Sequence, residues 1–172
     1  MTNQEPEVIE IPQPLDIFCK DLYLRGVEFW RAFKELTSEH EDKNSYVGSF
    51  LMAHSLELFL KAYLAAQSVS KNDLKSKSLG HNLEKLYKKC VELDIPDVNN
   101  LEIFCKNVYK MNDDHDFRYP NGYILHVPSP GLCQEVMGEL MEKIEPITEE
   151  KCKEAWFKLH EDYRATKFKW TD

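Results

Sequence analysis

The stretch DDHDFRYPNGYILHV contains acids, two histidines, an arginine and several aromatic side chains, and its sequence does not favour a helix. The Pro-Asn-Gly triplet at residues 120–122 interrupts a helical pattern and is typical of a turn. If the chain folds back at this turn, Asp116 lies opposite His126, with Arg118 beside the pair. The spacing therefore predicts one short irregular or hairpin excursion at residues 117–128 that carries an Asp–His pair and an arginine.

The same stretch begins with three aspartates, at positions 113, 114 and 116, directly after a predicted helix end. Negative charge there opposes the helix dipole by about 0.3–1 kcal/mol per residue, and carboxylate oxygens can hold a hard cation. However, the Asp-x-Asp-x-Asp-Gly pattern of calcium loops is absent from the sequence, and Lys61 or Arg118 can neutralise the acids instead. We therefore predict neither a metal site nor a cofactor.

A second polar group lies in the most apolar helix predicted for the chain. Glu57 and Lys61 stand four residues apart, which places them on one helical face. Charges on such a helix are costly unless they find partners, and the expected partners are Arg118 for Glu57 or the acids of residues 113–116 for Lys61. Two interpretations remain open: an internal polar network that joins this helix to the Phe-Arg-Tyr-Pro loop, or the floor of a ligand site.

His81 stands where a later helix begins. With Glu84 three residues further on, it resembles a capping box in which histidine takes the place of serine or threonine. The alternative is contact with a bound phosphate, because the backbone N–H groups at a helix start point outward. The ligand site would then contain Glu57, Lys61, His81, Arg118 and Tyr119.

Helical periodicity divides the chain around these residues. After an N-terminal arm at residues 1–13, which we expect to be mobile, a long first helix begins near Pro14, and Gly26 admits a close helix neighbour within it. A second helix over residues 44–66 is apolar nearly all round, which predicts that it is the central, most buried one. Further helices are expected to begin at His81 and after Asp97.

The C-terminal third of the chain predicts two more helices. Ser129 and Pro130 suit the start of one, and Thr148 suits the start of the last, with Pro146 separating them. The sum is an all-α, antiparallel bundle of four to six helices. We expect the bundle to occupy residues 14–145 and a helical extension to occupy residues 146–172.

Composition limits the class of protein. The chain has 172 residues, with 30 acidic against 22 basic side chains and a net charge of −8, so contact with nucleic acid would require a local basic patch. No apolar run approaches about 20 residues, which predicts that no segment spans a membrane. Five dispersed cysteines without a Cys-x-x-Cys pair predict buried free thiols in a reducing cytoplasm.

Three phrases, in order, resemble the HEPN superfamily: SLELFLKAYL in the second helix, GHNLEKLYKKC at a later helix start, and FRYP after the next helix. The resemblance covers roughly Leu15 to Ile144. It implies a small helical bundle of the kind associated with nucleotide binding, toxin–antitoxin systems and phage defence. It also implies a homodimer, since in HEPN ribonucleases two copies face each other across a cleft.

Some HEPN proteins are metal-independent ribonucleases. Their motif is an arginine followed, after about four to six residues, by a histidine, which respectively stabilise phosphate charge and assist proton transfer. Here seven residues separate Arg118 from His126, and the turn at residues 120–122 keeps the two side chains off one helical face. The nuclease motif is therefore not well formed.

These features favour a non-catalytic binding module for a nucleotide, RNA or partner protein. One alternative is a diverged metal-independent endoribonuclease that uses Arg118 with His126 or His115. Another is a purely structural accessory subunit. The aromatic C-terminal segment, which includes Trp156 and Phe157, would stack on bases or cover a core or subunit interface.

Overall fold

The computed structural model describes residues 13–38, 46–76, 79–112 and 127–165, with side chains in the last helix to residue 161. Within these ranges the chain forms helices and no strand. The helices are α1 (Leu15–Ser38), α2 (Tyr46–Ala66), α3 (Lys71–Lys75), α4 (Leu83–Val91), α5 (Leu101–Met111) and α6 (Pro130–Ala165). The prediction of an all-α helical bundle is confirmed. The N-terminal arm up to residue 12 and residues 117–126 of the predicted excursion lie outside the described residues.

Helix α2 is the centre of the bundle, as its composition predicted. Fifteen of its 21 residues are buried, and it packs against α1, α3, α4 and α6. Its largest side chains, Tyr63 and Phe59, are almost completely excluded from solvent. Burial of a large aromatic or aliphatic side chain contributes about 1.5–3 kcal/mol, so this helix supplies much of the hydrophobic stabilisation.

Helices α1 and α2 form an antiparallel pair. The ring centroids of Tyr23 and Phe59 are 5.5 Å apart, and those of Phe29 and His54 are 4.5 Å apart. The later residue of α1 therefore contacts the earlier residue of α2, as in an antiparallel pair. Gly26 lies between these two contacts, and the Phe59 ring packs directly on its backbone. The expectation that this glycine admits a close helix neighbour is confirmed.

Helix α6 runs without interruption through Pro146, so the predicted start of a separate last helix at Thr148 is wrong. Thr148 is fully buried, and its hydroxyl donates to the carbonyl oxygen of Glu145 at 3.0 Å. Ile144, one turn earlier, is fully buried as well. The stability gained by packing Ile144 and Thr148 against the bundle outweighs the loss of the backbone hydrogen bond that the proline cannot donate. The predicted cap is confirmed, because Ser129 Oγ accepts from the N–H of Leu132 at 3.3 Å.

A further predicted start is corrected. α5 begins at Leu101, not directly after Asp97, because Asn100 adopts a left-handed backbone conformation with φ 62° just before it. The carbonyl oxygen of Asp97 instead accepts from Lys143 Nζ on α6, which ties this connection to the last helix. The segment after α2 contains the five-residue helix α3, which Ser70 caps.

The cysteines behave as small buried side chains. All five are free, and all except Cys152, which is half-buried, are buried. Burial raises the pKa of Cys19 and of Cys133 to about 12, so both remain protonated thiols at neutral pH. Among the described helices, none is both long enough and apolar enough to cross a bilayer.

Candidate functional site

A carboxylate occupies the middle of the central helix. Glu57 is only 7% exposed, although its neighbours along α2 are the leucines, alanines and aromatics of the core. Moving an ionised carboxylate out of water is expensive unless other groups pair with it. Two groups do so, one from its own helix and one from the start of α4, and together the three side chains define the Glu57–Lys61–His81 cluster.

Lys61 provides the first partner. Its Nζ donates to Glu57 Oε1 at 2.7 Å, across one turn of α2, and its side chain is only 12% exposed. The close spacing and the low exposure make this an ion pair with little solvent screening. The prediction that the two residues share a helical face is confirmed, and they are partners of each other.

His81 provides the second partner and lies where solvent can reach it. Its Nδ1 is 3.0 Å from both carboxylate oxygens of Glu57, yet its side chain is 76% exposed. An ionised carboxylate can only accept hydrogen bonds, so Nδ1 carries the proton and donates. The other ring nitrogen, Nε2, is left on the open side of the imidazole. A buried acid thus orients a surface histidine.

The predicted capping role of His81 is wrong. The residue that caps α4 is Asn82, whose side-chain oxygen accepts from the N–H of Lys85 at 2.9 Å. Glu84 does not reach back to close a capping box, because its carboxylate accepts from Lys88 Nζ at 3.0 Å. Asparagine is among the best N-cap residues, so the sequence signal for this cap was present one position further on.

Several lysines of α4 and α5 lie near the carboxylate of Glu84. The pKa of Glu84 lies below its ordinary range, first because of the hydrogen bond and charge of Lys88 and further because of Lys106 and Lys110 on α5. Lysines of both helices therefore face this carboxylate. Lys85, the residue after Glu84, is exposed as well. We call Lys85, Lys88, Lys106 and Lys110 the α4–α5 lysine surface. It is a local basic patch on an acidic chain.

Four residues of the predicted site lie outside the described part of the chain: Arg118, Tyr119, His115 and His126. The proposed pairing of Arg118 with Glu57, and that of the acids at 113–116 with Lys61, stay predictions for the same reason. Within the described ranges, no group of three or more His, Cys, Asp or Glu side chains is placed to hold a metal ion.

A cavity of about 500 Å³ opens between the α2–α3 connection and α4. Its lining includes Ser68, Asp73 and Lys89, but none of the three members of the Glu57–Lys61–His81 cluster. Asp73 already accepts from Ser70, and Lys89 pairs with Glu92 at 2.7 Å. The cavity therefore offers polar groups that are already engaged, whereas His81 presents an imidazole edge at the surface.

The sequence analysis placed Glu57, Lys61 and His81 in one site, but it did not predict the direct hydrogen bond between Glu57 and His81. Glu57 and His81 are 24 positions apart, and only the packing of α4 on α2 brings them together. The available signal was the combination of a charged residue in an apolar helix with a histidine beside a strong asparagine cap. Comparison with known proteins adds nothing to this geometry, since the chain matches no family model, no curated protein and no solved structure.

Proposed function

We propose that this protein is a non-catalytic, HEPN-like binding module that takes a phosphate-bearing ligand, a nucleotide or RNA, at the His81 end of α4. One observation carries the proposal. The buried carboxylate of Glu57 holds the exposed imidazole of His81 through both of its oxygens at 3.0 Å. A core position that could have been apolar is thus used to aim a surface histidine, which a purely structural bundle does not require.

Phosphate is the ligand chemistry that fits the surroundings. An imidazole oriented by a carboxylate can donate from Nε2 to a phosphate oxygen when it is protonated. Lysines of the α4–α5 lysine surface act on Glu84, three residues after His81 in the chain, and they supply positive charge on a chain whose net charge is −8. Attraction to a polyphosphate or RNA backbone would therefore be local and would weaken with salt.

The binding module is placed ahead of the ribonuclease because seven residues separate Arg118 from His126, with a Pro-Asn-Gly turn between them, so the nuclease motif is not well formed. Cleavage would require Arg118 with His126 or His115, and these lie outside the described residues. A protein partner or a purely structural role remains an outcome of the test below. We further propose a cytoplasmic homodimer acting in a toxin–antitoxin or phage-defence setting, as the HEPN resemblance implies.

The experiment compares His81→Gln with His160→Gln. His160 is also exposed but lies on α6, away from the cluster, so it controls for the loss of a surface imidazole. Binding of ATP, of other mononucleotides and of fluorescent single-stranded RNA would be measured by anisotropy and by ligand-induced shifts of the melting temperature. We expect His81→Gln to weaken binding about tenfold, because a charge-assisted hydrogen bond contributes roughly 1.5–3 kcal/mol. His160→Gln should leave the affinity unchanged.

Two results would remove the proposal. One is the absence of binding to every nucleotide and RNA tested, which would favour a protein partner or a structural role. The other is equal affinity in the two histidine variants. Cleavage of the RNA probe by the wild-type protein, abolished by Arg118→Ala, would instead establish the ribonuclease.

A further inference from the structure

Cys19 on α1 lies close enough to Cys152 on α6 for the charge of one to raise the pKa of the other. The Sγ of Cys19, a completely buried residue, lies 3.9 Å from the carbonyl oxygen of Thr148. In a helix, that carbonyl faces the N–H four residues later, which belongs to Cys152. An ion pair between Lys20 and Glu149, with 2.7 Å between Nζ and Oε2, holds the two helices in register at the same level. The thiol of Cys19 donates to the carbonyl oxygen of Asp16 in its own helix at 3.0 Å, and it also lies beside the turn of α6 that carries Cys152.

The two thiols differ in access. Cys152 is half-buried, whereas Cys19 is fully enclosed. Burial raises the pKa of Cys152, and the charges of Glu149 and Asp21 raise it further. The hydrogen bond with Trp156 and the charge of Lys20 lower it. For Cys19, burial dominates, the charges of Asp16 and Cys152 also raise the pKa, and Lys20 lowers it. Neither thiol is ionised to a large extent at neutral pH, so reaction is slow there and faster in alkali.

We propose that Cys152 is the site at which this protein reacts with small-molecule disulfides, and that Cys19 completes a disulfide that clasps α1 to α6. The Cys152 thiolate attacks one sulfur of a disulfide such as oxidised glutathione, which forms a mixed disulfide and releases one glutathione thiolate. The Cys19 thiolate then attacks the Cys152 sulfur and displaces the second glutathione. The protein loses two protons and two electrons, and the oxidant is reduced to two thiols.

A second cysteine pair provides the contrast. Cys90 on α4 and Cys105 on α5 also lie close enough for the charge of one to raise the pKa of the other. Both are fully buried, and the Cys90 thiol donates to the carbonyl oxygen of Leu60 at 3.6 Å. An external disulfide cannot reach either sulfur while the bundle is folded. Access at Cys152, and not proximity alone, separates the reactive pair from the inert one.

The test treats the folded protein with oxidised glutathione at pH 8.5, followed by alkylation in denaturant and peptide mass analysis. The wild type should yield a cross-linked pair of peptides that contain Cys19 and Cys152. Cys90→Ala should yield the same product. Cys19→Ala should stop at one glutathione on Cys152, and Cys152→Ala should remain unmodified. Circular dichroism spectra would be used to check that each variant is folded.

A second measurement does not depend on variants. Closing a loop between residues 19 and 152 restricts the unfolded chain, so the oxidised wild type should melt roughly 5–10 °C higher than the reduced protein. Three results would overturn the proposal: no modification of Cys152, a glutathione adduct in the wild type that never resolves to the cross-link, or a disulfide that joins another pair.

Discussion

The ring of Phe59 in α2 occupies the space that any side chain at position 26 of α1 would need. A Cβ built on Gly26 would come within 2.8 Å of Phe59 Cε1 and 2.9 Å of Cδ1. The backbones of α1 and α2 can approach each other closely because glycine has no side chain. The close approach is also used for a hydrogen bond, since Ser55 Oγ donates to the carbonyl oxygen of Gly26 at 2.8 Å.

Replacing Gly26 with alanine should therefore destabilise the protein although alanine is the better helix former. Overpacking a tight core contact costs about 1–3 kcal/mol, while helix propensity returns up to about 1 kcal/mol. We expect a net loss of roughly 1–2 kcal/mol in urea unfolding. Gly138→Ala is the control, because nothing lies within 4 Å of its Cβ position, and it should stabilise α6 slightly. Equal effects of the two changes would contradict the packing described.

The ion pair in α2 should be strongly coupled. Glu57→Met leaves the Lys61 ammonium group mostly buried and without its carboxylate, which we expect to cost about 2–4 kcal/mol. The double variant Glu57→Met, Lys61→Met should recover most of this loss, because two apolar side chains fit a core helix. Urea denaturation of the four proteins in the cycle measures the coupling. Simple additivity of the two single changes would show that the pair is not coupled.

Pro146 should weaken the helix that contains it. Proline inside a helix removes a backbone hydrogen bond and crowds the preceding turn, which costs about 3 kcal/mol, and part of this is offset because proline also restricts the unfolded chain. Pro146→Ala should raise stability by roughly 1–2 kcal/mol and increase the helical circular dichroism signal. Pro130→Ala, at the first residue of α6, should have little effect, since proline is well tolerated there. A loss of stability in Pro146→Ala would argue for a helix break.

The buried thiols should make the protein sensitive to alkali. Burial raises the pKa of Cys105 above its ordinary value of 9.0, so the folded state binds a proton that the unfolded state releases. This contribution to stability is complete below pH 9 and is lost as pH rises toward the folded pKa, at up to about 1.4 kcal/mol per pH unit. Cys105→Ala should therefore show a shallower decline in the free energy of unfolding between pH 9 and pH 10.5. Parallel declines would contradict the assignment.

The α4–α5 lysine surface should govern the salt dependence of RNA binding. If each lysine contacts one phosphate, Lys110→Ala should reduce the slope of log affinity against log salt by about 0.7–1. Lys158→Ala is the matched control, because this residue is exposed on α6, far along the chain from the surface. Anisotropy titrations at several salt concentrations measure both slopes. Identical slopes would place the phosphate contacts elsewhere.

The sequence was informative wherever the signal was local. Apolar periodicity predicted the helices, the uniform apolar character of α2 predicted its central position, and Ser129 predicted the start of α6. Prediction from the sequence failed where tertiary packing opposes the local conformational preference of a residue. Pro146 indicated a helix end, yet the buried stripe through Thr148 keeps α6 continuous. A cap was expected at His81, but the next residue, Asn82, competes for that role and frees the imidazole.

By itself, the sequence determined the helical class of this protein, its buried thiols and the identity of the charged residues in its central helix, because these depend on residue type and on spacing within one element. Tertiary structure alone decided that Glu57 holds His81 and that Cys19 lies beside the turn of Cys152. These pairs join helices far apart in the chain. Their formation depends on how the side-chain ridges of one helix pack into the grooves of its neighbour, and this packing cannot be deduced from helical periodicity alone.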